Sequence, residues 1–153
     1  MNIVWKYLDK RSATIEAIKD YDAMKFIIDN TDDEIKAERD KMMGLGSPNW
    51  DGMPHAHNPN AGEERIIKGI EEIDVLKERY RQAVEYMEWF QPAWDQLSED
   101  DQFVMECFYR EENEYGAYAA ETVADRFQIE PASAHRKKRR AVDRLTLLLF
   151  GKA

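Results

Sequence analysis

One cysteine, Cys107, is all that a chain of 153 residues contains. A lone thiol rules out an intrachain disulfide and any four-cysteine zinc site. Long apolar runs are missing too. No stretch approaches the length of a membrane span, and the start MNIVWKYLDK lacks the basic-then-apolar order of a signal peptide. A cytoplasmic protein is the expectation. There is no Gly-rich phosphate loop, nucleophile elbow or H-E-x-x-H pattern, so neither an enzyme nor a bound cofactor is expected. Glycine and proline are scarce outside residues 44–62 (GLGSPNWDGMPHAHNPNAG), which hold four of the seven Gly and three of the five Pro. That segment reads as a long loop. With 35% charged and 43% apolar residues, the remainder suits helices around a core rather than a disordered tail.

Charge is unevenly placed. Six of the nine residues from Arg136 to Arg144 are basic: Arg136, Lys137, Lys138, Arg139, Arg140 and Arg144. Residues 131–153 carry seven Lys or Arg, Lys152 included, against the single acid Asp143, a balance of +6. The whole chain stands at −9, so residues 1–130 carry −15. A cationic C-terminal element on an acidic body is the electrostatic footprint expected for binding a polyanion.

Hydrophobic periodicity divides the chain into an N-terminal helical region, 1–96, and a C-terminal domain, 97–153. In residues 12–29, Ala13, Ala17, Tyr21, Met24 and Ile28 form one helical stripe. Thr31 followed by Glu34 has the capping-box pattern, which predicts a second helix over 31–43. Helix 63–90 carries Ile66, Ile70, Ile73, Lys77, Tyr80, Val84 and Met87 in steps of four and three, a heptad seam interrupted once by lysine. The seam can fold against residues 12–43 of the same chain or join a second copy in a homodimer, and the spacing suits both. Pro92 is expected to end this helix, with Trp89, Phe90 and Trp94 filling the junction to the next domain.

Ser98 with Asp101 offers an N-cap for a helix reaching about Arg110, with Phe103, Val104, Cys107 and Phe108 inward. A short helix, 119–127, presents Ala120, Val123, Ala124 and Phe127 on one side. Gln128-Ile129-Glu130 then connects it to a helix over 131–150, started by Pro131 and stopped by Gly151. This last helix should bury Ala134, Ala141, Leu145 and Leu148. The expected fold is all-α: an N-terminal helical hairpin or coiled-coil region followed by a helix-turn-helix. That motif lays its second helix in the DNA major groove. Ser133, Arg136, Arg139, Arg140 and Asp143 fall opposite the apolar stripe, with His135 at its flank. Ser133, His135 and Arg136 lie near the helix N-terminus, where base edges are reached, and arginine reads guanine through two hydrogen bonds. Arg139, Arg140 and Arg144, further along, suit phosphates, which position without specifying, and Lys137 joins the DNA-binding set. The bland alternative for the charge run, a solvated face of an amphipathic helix, explains neither the short-helix, turn and long-helix spacing nor the reversal of charge sign.

The segment LSEDDQFVMECFYR…AAETVADRFQIEPASAHRKKRRAVDRLTLLL resembles region 4 of sigma-70-type transcription factors. Phe127-Gln128-Ile129 supplies the turn, and Ala141-Val142-Asp143-Arg144-Leu145 the tail of the recognition helix. Upstream, SPNWDGMP, the long helix and the junction from Trp94 to Ser98 are similar to phage and prophage late-gene regulators of the ArpU/RinA kind. The resemblance implies sequence-specific binding of double-stranded DNA in transcription regulation, with RNA polymerase as a possible second partner. Two departures qualify it. Gln128 stands where glycine is usual, and Pro131, Ala132 and Ser133 replace the longer polar residues that read promoter bases. No counterpart of the region that melts promoter DNA is evident, so autonomous initiation is not expected. The rival readings are a small terminase-like DNA-packaging protein and a protein that binds polymerase without DNA.

Other features carry less. His55 and His57 with Asp51 have ligand types suited to zinc, but a loop rarely preorganises them, and no metal is expected. Glu71-Glu72 and Asp100-Asp101 are neighbours in sequence and so diverge on a helix, as solvated faces or caps rather than a catalytic pair. Cys107, with apolar neighbours, reads as core.

Overall fold

A computed structural model describes residues 8–44, 60–110 and 118–151, and among these all regular structure is helical. Helix α1 spans Lys10–Met42 and α2 Ala61–Asp95. Helix α3 spans Glu99–Met105 and continues as a π-helical turn over Glu106–Arg110. Helices α4, Ala119–Phe127, and α5, Pro131–Phe150, complete the chain. No helix among the described residues is long and apolar enough to cross a membrane.

The start of α1 is set by Asp9, whose carboxylate accepts hydrogen bonds from the Ser12 N–H at 3.1 Å and the Ser12 hydroxyl at 2.9 Å. Those two donors hold the Asp9 carboxyl below the usual carboxylate range. The two helices expected over 12–29 and 31–43 are one. Thr31 is buried and donates its hydroxyl to the Ile27 carbonyl within the helix, so it caps nothing. Asn30 makes the same kind of bond to Phe26, at 2.8 Å.

Helix α2 also outruns its expected end, passing through Pro92 to Asp95. A proline inside a helix costs about 3 kcal/mol. Phe90, Ala93 and Trp94, with Leu97 just beyond, are all buried. Each large apolar side chain among them returns about 1.5–3 kcal/mol, which outweighs the missing hydrogen bond.

The chain forms two compact units. One comprises residues 1–24 with 86–153, the other residues 25–85. The boundary expected near residue 96 is therefore replaced by breaks after 24 and after 85. Residues 86–96 and the start of α1 belong with the C-terminal helices because their apolar side chains are needed there. In the first unit, Ala17 and Ile18 of α1, Phe90, Ala93 and Trp94 of α2, Leu97, Met105 of α3, and Ala141, Val142 and Leu145 of α5 form one cluster. Phe90 stacks on Tyr86 and Trp94, with ring centres 5.3 and 5.7 Å apart. The Tyr86 hydroxyl donates to the Ala17 carbonyl, and Tyr21 donates to Gln91 at 2.9 Å. A second cluster joins Val104 and Cys107 to Val123 and Ala124 of α4 and Ala134 of α5. Cys107 is core, as its neighbours in sequence suggest. Leu148, expected inside, is exposed; Val142 and Thr146 take the inward places instead.

In the second unit, α2 lies against α1 of the same chain, so closely that a Cβ on Gly69 would meet the Met42 side chain at 2.2 Å. The buried residues of α2 here are Gly69, Ile73, Leu76 and Ala83. The expected seam is thus not the stripe that packs against α1. Ile73 is on it, but Ile66, Ile70 and Tyr80 are exposed and Val84 and Met87 only partly covered. The inward stripe runs through Gly69, Ile73, Leu76 and Ala83 because the small residues allow close helix approach.

Candidate nucleic-acid interface

Helix α4 ends at Phe127, and the chain turns through Gln128, which is left-handed at φ 54° and ψ 51°. The Ile129 N–H returns to the Ala124 carbonyl at 3.0 Å, closing the helix end. A left-handed non-glycine residue is strained. Here the turn is held by Phe127 and Ile129, both packed on the cluster of Val104, Cys107 and Val123. Glu130 then stands at the N-cap of α5 without capping through its side chain, and Pro131 occupies the first turn. First-turn N–H groups that no side chain satisfies are open to an anion or water.

Burial of Ala134, Ala141, Val142, Leu145 and Thr146 fixes the rotation of α5. The opposite side therefore faces solvent. His135, Arg136, Arg139 and Arg140 are exposed, and Ser133 is half-buried. The side chains of Arg136, Arg139 and Arg140 make no ion pair, hydrogen bond or ring contact with a described residue. Three guanidinium groups are left along one helix face, none of them paired with a carboxylate of a described residue.

The other sequence-predicted residues are less free. His135 packs on the Phe108 ring, with centres 5.5 Å apart. The Lys137 ammonium lies 4.3 Å from the centre of the Phe127 ring, and Lys138 sits 4.9 Å from that of Phe108. Both ammonium groups are thus held against aromatic rings at the flanks of the helix. Burial, and then the charge of Arg139, push the Lys138 ammonium below its ordinary value. Arg144, expected to grip phosphate, is held by Asp101 of α3 at 2.6 Å. Asp101 also donates its backbone N–H to the Ser98 hydroxyl, so the α3 cap and α5 meet at this pair.

Sequence reasoning missed one cation. Arg11 of α1 forms a two-pronged contact with Asp143, at 2.7 and 3.0 Å to the same carboxylate oxygen. The two residues lie 132 positions apart, and no local pattern links them.

Among the described residues no three His, Cys, Asp or Glu side chains gather as metal ligands would, and Asp51, His55 and His57 lie outside those residues. Against known families, curated proteins and solved structures, no match to this chain is found.

Proposed function

We propose that α4 and α5 form a helix-turn-helix that binds double-stranded DNA, and that the protein is a sequence-specific transcription regulator. It would be of the phage or prophage kind that its sequence resembles. The observation that carries this reading is the row of unpaired, exposed Arg136, Arg139 and Arg140 on one face of α5, directly after the tight turn at Gln128. In this reading the first turns of α5 enter the major groove. Arg136 reads a guanine, Ser133 and His135 reach neighbouring acceptors, and Arg139 and Arg140 bind phosphates. Lys137 flanks the groove. Arg144 is paired with Asp101 through Nη1 alone, and its other N–H groups can reach a phosphate beyond those of Arg139 and Arg140. A second copy would provide a second half-site, and RNA polymerase is a further partner that promoter recognition would bring close.

Titration of a mixed-sequence duplex across salt concentrations tests the reading. Arg139→Ala with Arg140→Ala should weaken binding to all sequences alike and flatten the salt slope by about 0.9 for each phosphate no longer neutralised. Arg136→Ala should cost about 1–3 kcal/mol on a selected binding site and little on random DNA. Unchanged affinity and slope in a folded Arg139/Arg140 double variant would refute the DNA-binding face. Light scattering over a concentration series tests the second copy, which a constant monomer mass excludes.

A further inference from the structure

Asp143 is the one acidic residue of α5. It follows Arg136 by seven positions, Arg139 by four and Arg140 by three, so it shares their face of the helix. Left alone, its carboxylate would repel the phosphates that the arginines attract. It is not left alone. Arg11 donates from Nε at 3.0 Å and from Nη2 at 2.7 Å to its Oδ1. An arginine has five N–H donors, and this contact uses two. More than half of the Arg11 side chain, 58%, stays exposed, so the remaining three are within reach of an outside acceptor.

The register that brings the two together is built in. Thr14 and Thr146, each three residues further along their helices, are fully buried and meet with hydroxyl oxygens 2.9 Å apart. Thr14 donates to the Lys10 carbonyl, and the Thr146 hydroxyl lies 2.7 Å from the Val142 carbonyl oxygen. Successive contacts, 11 with 143 and then 14 with 146, advance in the same sense, so α1 and α5 run parallel at this crossing. The buried threonine pair locks that register, and the Arg11 guanidinium is delivered to the outward face of α5. An ion pair this exposed adds little to stability. Its charge matters more for what the face can bind.

We propose that Arg11, supplied by α1, belongs to the DNA-binding surface, where it neutralises Asp143 and offers its free N–H groups to a backbone phosphate. This rests on the reading of α5 as a DNA-binding helix, and it extends the cationic strip from one helix to two. The acidic residue on the face then acts as an anchor that orients Arg11.

Binding of a fluorescent mixed-sequence DNA duplex to the full chain, followed by anisotropy over a salt series, tests the pair. Arg11→Ala should weaken binding between about threefold and tenfold at low salt and lower the slope by about 0.9, the value of one phosphate. Asp143→Asn should tighten binding, since it removes a negative charge and keeps an acceptor for Arg11. The double variant should recover most of the affinity that Arg11→Ala forfeits. Thermal midpoints of all three should stay close to that of the wild type. A purely structural tie gives the reverse: Asp143→Asn then weakens binding, and the double variant is no better than Arg11→Ala. Either that pattern or an Arg11→Ala indistinguishable from wild type overturns the assignment. A wild type without salt-dependent binding overturns the reading of α5 itself, and this inference with it.

Discussion

Helices α1 and α2 contribute to both compact units, yet the two units differ in what those helices cover. Of the nineteen buried apolar residues among those described, only Ile73, Leu76 and Ala83 belong to residues 25–85. The same stretch contains seven of the twelve large apolar residues left exposed, among them Phe26, Ile67 and Val75. Two helices alone offer each other one stripe apiece, and whatever lies beside that stripe stays in water. In the other unit three further helices, α3 to α5, close over the pair, and side chains such as Phe90 and Met105 are surrounded. The difference shows why the basic face sits where it does. A helix can leave most of one face to solvent when its opposite face is anchored by a real core, as α5 is through Ala134, Ala141 and Leu145.

The largest expected effect lies in the richer core. Phe90→Ala removes a ring that meets Tyr21, Tyr86 and Trp94 and should cost about 3–5 kcal/mol in denaturant unfolding. If Leu76→Ala in the other unit costs as much, the contrast between the units is broken. Next comes the register of α2. Ile73, only 8% exposed, and Ile70, 49% exposed, are one turn apart. Ile73→Asp would bury an unpaired carboxylate and should cost about 3 kcal/mol or more, while Ile70→Asp should stay within about 0.5 kcal/mol. Equal costs would restore the seam read from the heptad spacing. Smaller still, Gln128→Gly should stabilise the protein by about 1 kcal/mol by relieving the left-handed residue, and a drop in stability would mean that its side chain contributes more than its backbone costs.

The least effect is expected from an ion pair of residues 25–85. Hydrogen bonds from Arg81, and then from Gln82, hold the Glu78 carboxyl down to about 2. A depressed folded value means that the contribution is fully present above the ordinary carboxylate range and disappears as pH falls through about 2. Full exposure in water keeps it small. Helical ellipticity followed by acid titration should show a slight decrease in that window, absent in Glu78→Gln. A large decrease would indicate that surface charge, not packing, holds this unit.

Sequence is a good guide where local physics decides. The bounds of α5 follow from Pro131 at one end and Gly151 at the other, and its exposed arginines from helical period and charge. The cap at Ser98 is likewise a contact between near neighbours, its hydroxyl accepting from the Asp101 N–H at 3.2 Å. Errors arise where one pattern serves two structures. Thr31 with Glu34 spells a helix start, but a threonine hydroxyl can also bond back to the carbonyl four residues earlier, and in α1 it does. The inward stripe of α2 escapes a search for large apolar residues because Gly69 and Ala83 mark it by their smallness.

By itself, then, the sequence determined that the protein is helical, where its last three helices begin and end, and that its positive charge is concentrated on α5. Each of these depends on interactions within a few residues, through hydrogen-bond period, capping and side-chain spacing. Only the tertiary structure decided which arginines are unpaired and which are tied to a carboxylate. Arg144 is held by Asp101, and Asp143 holds Arg11, across 43 and 132 positions of chain. Such pairs exist because burial of Thr14, Thr146, Leu145 and Met105 fixes how the helices cross. That register is a property of the packed core as a whole, and no stretch of sequence contains it.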